Sequence, residues 1–207
     1  MGGALAHAAA PRRATPHAPI AFLDRDGVLN LSVEGHISDP DELRLVPGAA
    51  SCIARLRHAG MVICIVTNQS GVDRGWTSEA KIHAIHDRLV DLLLAEDPHA
   101  RVDLTLTCPH TPWHGCTCRK PESGLLRLGE HLIRGVGWTA ALRARLPVPK
   151  NGAVGQQWKD IMVGDRRSDV LAGHAHGARS FHASPDVGLQ PLLSRLLDHD
   201  DLGDAVR

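Results

Sequence analysis

Short apolar runs, each followed by a polar or glycine-containing segment, divide this chain into alternating strands and helices. Residues 20–23, 61–66 and 161–164 are continuously apolar, which is typical of strands that are buried on both faces of a parallel sheet. The alternation over residues 102–107 and the segment 178–182 predict two further strands. The pattern therefore indicates at least five strands.

Helical periodicity fills the connections between these strands. It predicts helices over residues 48–58, 125–133 and 167–174, and a longer helix that Thr77 caps and that runs to Leu93. Strands that alternate with helices form a mainly parallel sheet with right-handed crossovers and helices on both faces. We therefore predict an α/β fold, a Rossmann-like three-layer sandwich.

The chain divides into a leader and one domain. Residues 1–18 are rich in Ala, Pro, Gly and His, so we expect a disordered leader there. Residues 19–207 are long enough for one well-buried domain. The connection between Asp26 and Thr67 already holds one loop, one helix and one strand, which leaves no room for a separate cap domain. Residues 131–158 form an insertion, which we expect to be a surface loop.

Positive and negative charges are balanced in this chain. Lys plus Arg and Asp plus Glu each number 23, so the net charge is zero, and aromatic residues make up 3%. This composition argues against a nucleic-acid-binding surface and against binding to an anionic membrane. No apolar stretch approaches the ~18 residues of a membrane span, and the N-terminal residues do not resemble a secretory signal. We expect a cytoplasmic monomer with no nucleic-acid or membrane partner.

Polar side chains begin where three of the predicted strands stop. Asp24 and Asp26 follow the first strand, the sequence Thr67-Asn68-Gln69-Ser70 ends the second, and Asp165 follows a later one. Because the carboxyl ends of parallel strands share one edge of a sheet, we expect these residues to converge. Two carboxylates before a glycine turn favour a divalent cation. Taken alone, each of these segments is also typical of an ordinary turn.

Three of the five cysteines lie in one short segment with two histidines. The segment contains Cys108, His110, His114, Cys116 and Cys118. Three thiolates and one imidazole suit a tetrahedral Zn²⁺ ion, and either histidine could be the fourth ligand. The alternative is a redox pair or unligated core cysteines. The other two cysteines lie in apolar segments, where a free cysteine usually behaves as a small core hydrophobe.

Four motifs occur along the chain in an order that is much more specific than any one of them. They are Asp24-Arg25-Asp26-Gly27, Thr67-Asn68-Gln69-Ser70, Lys120-Pro121, and Gly164-Asp165 with Asp169. Together they resemble the ordered motifs of the haloacid dehalogenase (HAD) superfamily of phosphotransferases. The longer strings at 22–27, 66–71 and 118–121 resemble more narrowly the D,D-heptose bisphosphate phosphatases, which are relatives of the histidinol-phosphate phosphatases. The resemblance covers residues 20–182.

The resemblance implies a set of catalytic residues. Asp24 would be the nucleophile that forms an aspartyl-phosphate, and Asp26 would be the general acid and then the general base, with a pKa that is raised in the enzyme–substrate complex. Mg²⁺ would be held by the Asp24 and Asp165 carboxylates and by the backbone carbonyl of Asp26. Asp169 would support this metal site or cap its helix.

The resemblance also implies how phosphate is bound. Thr67 and the backbone N–H of Asn68 would bind the transferring phosphoryl oxygens, and Lys120 would neutralise their charge. The zinc site would be structural and would stiffen the loop that carries Arg119 and Lys120. Its ligands would be Cys108, His110, Cys116 and Cys118. The residues in contact with substrate would be Asn68, Gln69, Ser70, Arg119, Arg166, Glu34 and His36.

These features together predict a Mg²⁺-dependent phosphatase that acts on a small phosphorylated sugar. The resemblance favours removal of the 7-phosphate from D-glycero-D-manno-heptose 1,7-bisphosphate. Two departures from the family bear on the substrate: the spacing within residues 32–36 differs, and Arg166 stands where the family commonly has Lys. The alternatives are a histidinol-phosphate phosphatase, a polynucleotide 3′-phosphatase and a non-catalytic zinc-stabilised binding module.

Overall fold

The computed structural model describes residues 3–33, 35–149 and 160–205. Its strands are β1 Ala4–Ala8, β2 Ile20–Leu23, β3 Val62–Asn68, β4 Leu104–Cys108, β5 Leu142–Leu146, β6 Ile161–Gly164 and β7 Arg179–His182. They form one seven-stranded sheet in the order β5-β1-β4-β3-β2-β6-β7.

Five of these strands run parallel. β2 lies between β3 and β6 and pairs with both, while β3 also pairs with β4 and β6 with β7. Each of the five predicted strands is present, with its ends shifted by at most two residues. The prediction of a mainly parallel α/β sheet is therefore confirmed, and the carboxyl ends of β2, β3 and β6 lie at the same edge.

The helices cover both faces of this sheet. They are α1 Ala49–His58, α2 Glu79–Glu96, α3 Gly124–Glu130, α4 Arg167–His176 and α5 Leu193–Leu197. The N-cap of α2 is Ser78 rather than the predicted Thr77, because the Ser78 hydroxyl accepts a hydrogen bond from the backbone N–H of Lys81.

The N-terminal residues belong to the sheet, so the predicted disordered leader over residues 1–18 is wrong for residues 4–8. β1 pairs antiparallel with β4 on one side and with β5 on the other, and its five residues are all buried. Without β1, the outer edge of β4 would expose unpaired backbone groups. Composition missed this strand because its small alanine side chains are buried by tertiary contacts, which local sequence does not reveal.

The insertion over residues 131–158 also contains regular structure. His131–Val136 continues α3 as a π-helical segment, and β5 alternates between half-buried and exposed positions, as edge strands do. The expectation of a surface loop is therefore wrong for residues 142–146, which find a partner in β1. Residues 150–159 of the insertion lie outside the described part of the chain.

Apolar side chains form one core on each face of the sheet. Ile53 of α1 lies in the first core and Leu125 of α3 in the second, so the predicted three-layer arrangement is confirmed. Cys52 and Cys64 are buried, one in each core, as expected of small hydrophobes. Within the described ranges, no separate domain interrupts the connection from β2 to β3. None of the helices in those ranges combines the length and the apolar character of a membrane span.

The buried ring of His176 makes the stability of the fold depend on pH. It packs edge-on against Phe22, with ring centroids 5.4 Å apart, and burial lowers the pKa of His176 from 6.5 to about 4. The unfolded chain binds a proton at His176 more readily than the folded chain does. The folded state is therefore not destabilised by this group above pH 6.5, and it loses stability as the pH falls from 6.5 towards 4.

We therefore expect His176→Gln to remove about 2 kcal/mol from the difference in unfolding free energy between pH 7.5 and pH 5. Glutamine retains a polar side chain of intermediate size but does not titrate. Urea denaturation of both proteins at the two pH values measures this difference. An unchanged pH dependence in the variant would contradict the expectation.

Candidate active site

Acidic side chains from separate parts of the chain converge at the carboxyl ends of β2 and β6. Asp24 follows β2, and Asp165 follows β6. Carboxylate oxygens of Asp24, Asp165 and Asp169 all lie within 4.8 Å of one another. Thr67, near the end of β3, lines the same cavity as Asp24. The parallel topology therefore brings these predicted site residues to one edge.

Lys120 supplies a positive charge to this acidic group. Its Nζ lies 2.8 Å from Asp24 Oδ1 and 2.6 Å from Asp169 Oδ1, and it donates a hydrogen bond of 2.8 Å to the Val66 carbonyl. Only 1% of the side chain is exposed. Burial acts to lower the pKa of Lys120, but the two carboxylates outweigh burial and raise this pKa. The ammonium group therefore stays charged at neutral pH.

Asp24 occupies a buried position where its ionisation depends on nearby cations. Burial raises the pKa of Asp24 to about 7, although the Lys120 ammonium opposes this rise. The neighbouring carboxylates of Asp169 and Asp26 raise it further. Additional positive charge beside Asp24 would favour the ionised carboxylate that a nucleophile requires.

The Asp26 carboxylate is held by three donors. Arg25 Nη2 lies 3.0 Å from both of its oxygens, Asn30 donates to Oδ1 at 2.9 Å, and Gln69 donates to Oδ2 at 2.7 Å. Burial acts to raise the pKa of Asp26, but Arg25, Asn30 and Gln69 together lower it. The lowered pKa of Asp26 is that of the protein without substrate, whereas the predicted rise in this pKa concerns the complex with substrate.

The sequence analysis did not assign a role to Arg25 or Asn30. Arg25 is fully buried, which is rare for a guanidinium group unless it is paired. Gln69 borders the cavity as predicted, but its amide is committed to Asp26 and to Thr67 Oγ1, the latter at 2.9 Å. The sequence feature that could have indicated a role for Arg25 is its position between two aspartates, directly after a buried strand.

Asn68 joins the end of β3 to the loop that carries the basic residues. Its side-chain amide donates to the Lys120 carbonyl and accepts from the Lys120 backbone N–H, both at 3.1 Å. Arg119 is held from the other side, because its Nη1 donates to the His110 carbonyl at 3.0 Å. The backbone of this loop is therefore fixed next to Asp24.

The converging residues line two cavities that share part of their walls. The first has a volume of about 290 Å³ and contains Asp24 and Lys120. The second has a volume of about 160 Å³ and contains His36, Ser70 and Trp76. The residues that line both are Asp26, Asn68, Arg119 and Arg166. Arg166 is 75% exposed, with Nε 4.0 Å from Asp165 Oδ1.

A roomier cavity lies elsewhere and lacks this chemistry. It has a volume of about 540 Å³ and lies between residues 11–14 and 136–139. Its lining residues include two arginines but neither a carboxylate nor a metal-ligating side chain. Size alone therefore does not identify the site in this protein.

Aromatic side chains form one wall of the 160 Å³ cavity. Trp76 is 60% exposed and stacks on His36 with ring centroids 5.5 Å apart. The Arg74 guanidinium lies 4.8 Å from the Trp76 ring centroid and 4.6 Å from that of Trp113. The sequence analysis predicted His36 but not Trp76. Glu34, the other predicted contact from the same loop, lies outside the described residues.

The acidic group fits a divalent cation. Asp165 Oδ1 is buried and has no hydrogen-bond partner among the described residues. Gly27 faces this carboxylate with a φ of +77°, and a Cβ atom there would lie 2.7 Å from Asp165 Oδ2. Carboxylate and carbonyl oxygens are the ligands that Mg²⁺ prefers. The Asp24 and Asp165 carboxylates are therefore suitable donors, with Asp169 held beside them.

Asp169 makes two contacts that correspond to its two predicted roles. Its Oδ1 pairs with Lys120, and its Oδ2 accepts a hydrogen bond of 2.9 Å from the backbone N–H of Arg166 at the start of α4. The carboxylate therefore caps the helix and also supports the acidic group.

The cysteine-rich loop after β4 forms a compact cluster of possible zinc ligands. The Sγ atoms of Cys108, Cys116 and Cys118 lie 3.3 to 3.6 Å from one another. Tetrahedral Zn²⁺ with ~2.3 Å Zn–S bonds needs sulfur atoms ~3.8 Å apart, so a small expansion admits the ion. These separations exclude disulfides, which require ~2.05 Å.

His110 is the histidine that belongs to this cluster. Its Nδ1 lies 3.2 Å from Cys118 Sγ and 3.5 Å from Cys108 Sγ. His114 instead directs its Nδ1 towards Asp73 Oδ2, at 3.4 Å. The hydrogen bond from the Cys118 thiol lowers the pKa of Cys108 to about 6 and raises the pKa of Cys118, so Cys108 is the first of the three to form a thiolate.

We expect the wild-type protein to bind Zn²⁺ at this cluster, and Cys116→Ser to bind none and to have a looser loop. Structural zinc contributes on the order of 10 kcal/mol in small metal-binding domains, so backbone amide protection over residues 109–119 should fall at least ~100-fold. Cys116 is partly exposed, so this substitution spares the core. Metal analysis and hydrogen exchange measure the two effects. Cys52→Ala, outside the cluster, is the control, and an unchanged zinc content in Cys116→Ser would contradict the assignment.

Sequence comparison finds relatives that are heptose-1,7-bisphosphate 7-phosphatases. A D-glycero-beta-D-manno-heptose-1,7-bisphosphate 7-phosphatase from Rhodopseudomonas palustris is 35% identical over 174 residues, which cover 84% of this chain and 85% of the relative. The enzyme of that name from Pseudomonas aeruginosa is 43% identical over 113 residues, 54% of this chain. The chain spans 62% of the P. aeruginosa relative and 59% of another from Bordetella bronchiseptica. No family model matches.

Two solved structures that are similar to this chain are also phosphatases. A protein from Mesorhizobium loti described as a HAD-like phosphatase has a TM-score of 0.73 and 27% identity, and the match covers 100% of this chain and 98% of that one. The D,D-heptose 1,7-bisphosphate phosphatase of B. bronchiseptica, solved with magnesium and phosphate, has a TM-score of 0.67 and 30% identity, with 85% and 86% covered.

Proposed function

Because this chain belongs to the D-glycero-β-D-manno-heptose-1,7-bisphosphate 7-phosphatase family of HAD-like phosphatases, we propose that it is a Mg²⁺-dependent phosphatase. The substrate is a sugar bisphosphate, D-glycero-D-manno-heptose 1,7-bisphosphate, from which the enzyme removes the 7-phosphate. The observation that carries this proposal is the buried group in which Lys120 joins Asp24 to Asp169, with Asp165 alongside.

In the first half of the reaction, Asp24 attacks the phosphorus atom. A bond forms between an Asp24 carboxylate oxygen and phosphorus while the bond from phosphorus to the sugar oxygen breaks. Asp26 donates its proton to the departing oxygen, so the sugar leaves as an alcohol. Lys120 and Thr67, on the wall of the same cavity, neutralise and bind the phosphoryl oxygens.

In the second half, water hydrolyses the aspartyl-phosphate. Asp26, now ionised, accepts a proton from the water as its oxygen bonds to phosphorus, and the bond to Asp24 breaks. The donors Arg25, Asn30 and Gln69, which favour the ionised carboxylate, suit this step. The first half requires the opposite state, which the negative charge of a bound phosphate favours by raising the pKa of Asp26.

Two metal ions complete this proposal. Asp24, Asp165 and the Asp26 carbonyl would hold Mg²⁺, which would supply positive charge for the phosphoryl oxygens and for the Asp24 carboxylate. Zn²⁺, held by Cys108, His110, Cys116 and Cys118, is structural. Arg119 donates a hydrogen bond to the His110 carbonyl, so a rigid zinc loop also fixes the position of the basic residues that face the phosphate.

The paired cavities support a substrate with two phosphate groups. Lys120 lines the cavity that contains Asp24, while Arg119 and Arg166 border both cavities. An arginine fork binds phosphate through two parallel hydrogen bonds. The phosphate to be removed then lies beside Asp24 and the retained phosphate lies near an arginine, with His36 and Trp76 beside the sugar.

Phosphate release from a small panel of esters tests this proposal. The panel contains both anomers of the heptose 1,7-bisphosphate, histidinol phosphate and an oligonucleotide with a 3′-phosphate. We expect kcat/KM for one heptose bisphosphate anomer to exceed that for histidinol phosphate by ~10-fold or more, because histidinol phosphate lacks a second phosphate for the arginines. Nuclear magnetic resonance of phosphorus then identifies the phosphate that remains.

The outcomes of this assay separate the reaction class from the substrate. A preference for histidinol phosphate would overturn the heptose assignment but retain the phosphatase mechanism. Retention of the 7-phosphate in the product would overturn the proposed regiochemistry. A folded, metal-loaded protein that releases phosphate from none of these esters would contradict the proposal as a whole.

A further inference from the structure

Three histidines meet where β1 packs against α2, away from the carboxylates and cysteines described above. His7 lies on β1, while His83 and His86 lie on α2. One ring nitrogen from each lies within 4.8 Å of the others. The Nδ1 atoms of His7 and His83 are 3.1 Å apart, and the His7 and His86 rings meet edge-on with centroids 5.7 Å apart.

The protonation state of this cluster suits metal binding. Burial lowers the pKa of His7 to about 4, lowers that of His83, and lowers that of His86 well below 6.5. All three rings are therefore neutral at pH 7. A neutral imidazole has a free lone pair on one ring nitrogen, which is the form that binds a metal ion.

His86 is the clearest sign that a partner is missing. Its side chain is buried, at 1% exposure, and neither ring nitrogen has a hydrogen-bond partner among the described residues. A buried polar group without a partner costs free energy, so such groups are rare in native proteins. The fold holds this imidazole beside two others, where a cation could satisfy its lone pair.

We propose that His7, His83 and His86 form a second transition-metal site, selective for a divalent ion of the zinc and copper class. Tetrahedral coordination with ~2.05 Å metal–nitrogen bonds places ligand nitrogens ~3.3 Å apart, close to the observed 3.1 Å between His7 and His83. His86 supplies the third nitrogen, which lies within 4.8 Å of the other two. Imidazole ligands favour zinc, copper and nickel over magnesium, so this site and the carboxylate site take different ions.

A carboxylate supports the proposed site from outside. Asp87 Oδ1 lies 3.3 Å from His7 Nε2, so His7 Nδ1, which shares a hydrogen bond with His83 Nδ1, is the nitrogen that would bind the metal in place of that hydrogen bond. Carboxylates in this position orient metal-binding histidines and increase their basicity. Arg143 of β5 fixes Asp87 with two hydrogen bonds, of 2.9 and 2.7 Å. β1 and β5, which composition alone did not predict, thus supply a ligand and its support.

The charge near the cluster is compatible with a cation. Arg25 acts on His86 and lowers its pKa, but the Arg25 guanidinium is paired with the Asp26 carboxylate. Asp87 adds a negative charge on the other side of His7, which is shared with Arg143. Glu79, which acts on His83, is paired with Arg145, so the charged side chains that act on the cluster occur as opposite pairs.

Metal titration of the intact, untagged protein tests this inference. Zinc-loaded protein is titrated with Cu²⁺, which reports nitrogen ligands in electron paramagnetic resonance, and the bound metal is counted by elemental analysis. We expect one imidazole-bound Cu²⁺ per chain in addition to the zinc of the thiolate cluster. His83→Ala should abolish the nitrogen signal and leave the zinc in place. Asp87→Asn should weaken Cu²⁺ affinity ~10- to 100-fold.

A matched control uses a close histidine pair that lies outside both proposed metal sites. The rings of His58 and His99 lie 5.1 Å apart, and His99→Ala should leave the Cu²⁺ count unchanged. Each variant is checked for its unfolding transition, and His86→Gln replaces His83→Ala if the latter fails to fold. Equal Cu²⁺ binding in the wild type and the folded histidine variant, or no imidazole-bound Cu²⁺ in the wild type, would overturn the inference. Neither result depends on phosphatase activity.

Discussion

Replacing Asp24 by asparagine is expected to abolish phosphate release, with a loss in kcat of ~10⁴-fold or more. The amide has the shape of the carboxylate but cannot form the aspartyl-phosphate. Its side-chain oxygen can still accept the hydrogen bond from Lys120, which now lies 2.8 Å from Asp24 Oδ1. The variant therefore removes the nucleophile and leaves most contacts of the site in place.

The measurement for Asp24→Asn combines steady-state phosphate release with acid-quench detection of the phosphorylated protein. Wild type should accumulate a trace of aspartyl-phosphate and the variant none. Asp91→Asn, on the exposed face of α2, makes the same chemical change outside the site and should retain full activity. If folded Asp24→Asn keeps more than about one tenth of the wild-type rate, Asp24 is not the nucleophile.

Replacing Lys120 by methionine is expected to destabilise the fold by ~3–5 kcal/mol and to inactivate the enzyme. The substitution leaves Asp24 and Asp169 buried without their shared cation. The Lys120 charge also lowers the pKa of Asp24, so its loss raises that pKa and further disfavours the ionised nucleophile. Methionine has a similar length, so packing changes little and the electrostatic effect dominates.

A double-mutant cycle checks the electrostatic origin of this effect. Urea denaturation of Lys120→Met, Asp169→Asn and the double variant should show that the double variant is more stable than the sum of the two single losses predicts. Lys81→Met is the control, because Lys81 is 45% exposed and its ion pair with Asp39 spans 3.9 Å; its effect should stay below ~1 kcal/mol. Strictly additive losses would show that Lys120 does not act through Asp169.

The positions of five strands along the chain and the polar residues at their ends could be predicted, because both follow from the local sequence pattern. Continuous apolar runs such as residues 61–66 are typical of strands in a parallel sheet, and the sheet topology then brings their carboxyl ends together. Asp24 and Asp165 needed no more than this to be placed at one edge. The cysteine cluster was equally accessible, since ligand type and spacing restrict the possible metal.

Contacts between side chains from different elements could not be predicted in the same way. The sequence around Asp26 does not show that Gln69, which follows β3, joins Arg25 and Asn30 in binding its two oxygens. Trp76 is one exposed aromatic residue in a polar segment until His36, from another loop, stacks against it. Such pairings depend on how the loops fold over the sheet, which periodicity does not describe.

The sequence by itself determined the α/β class, the polar residues at the strand ends, and the three thiolates of the cysteine cluster with two candidate histidines, because strand burial, motif order and metal preference are properties of short segments. Tertiary structure alone decided that residues 4–8 are a strand, that Lys120 joins Asp24 to Asp169, and that three histidines meet beside α2. Each of these depends on burial and on charges contributed by distant parts of the chain, and a buried group takes its pKa and its partners from whatever the fold places around it.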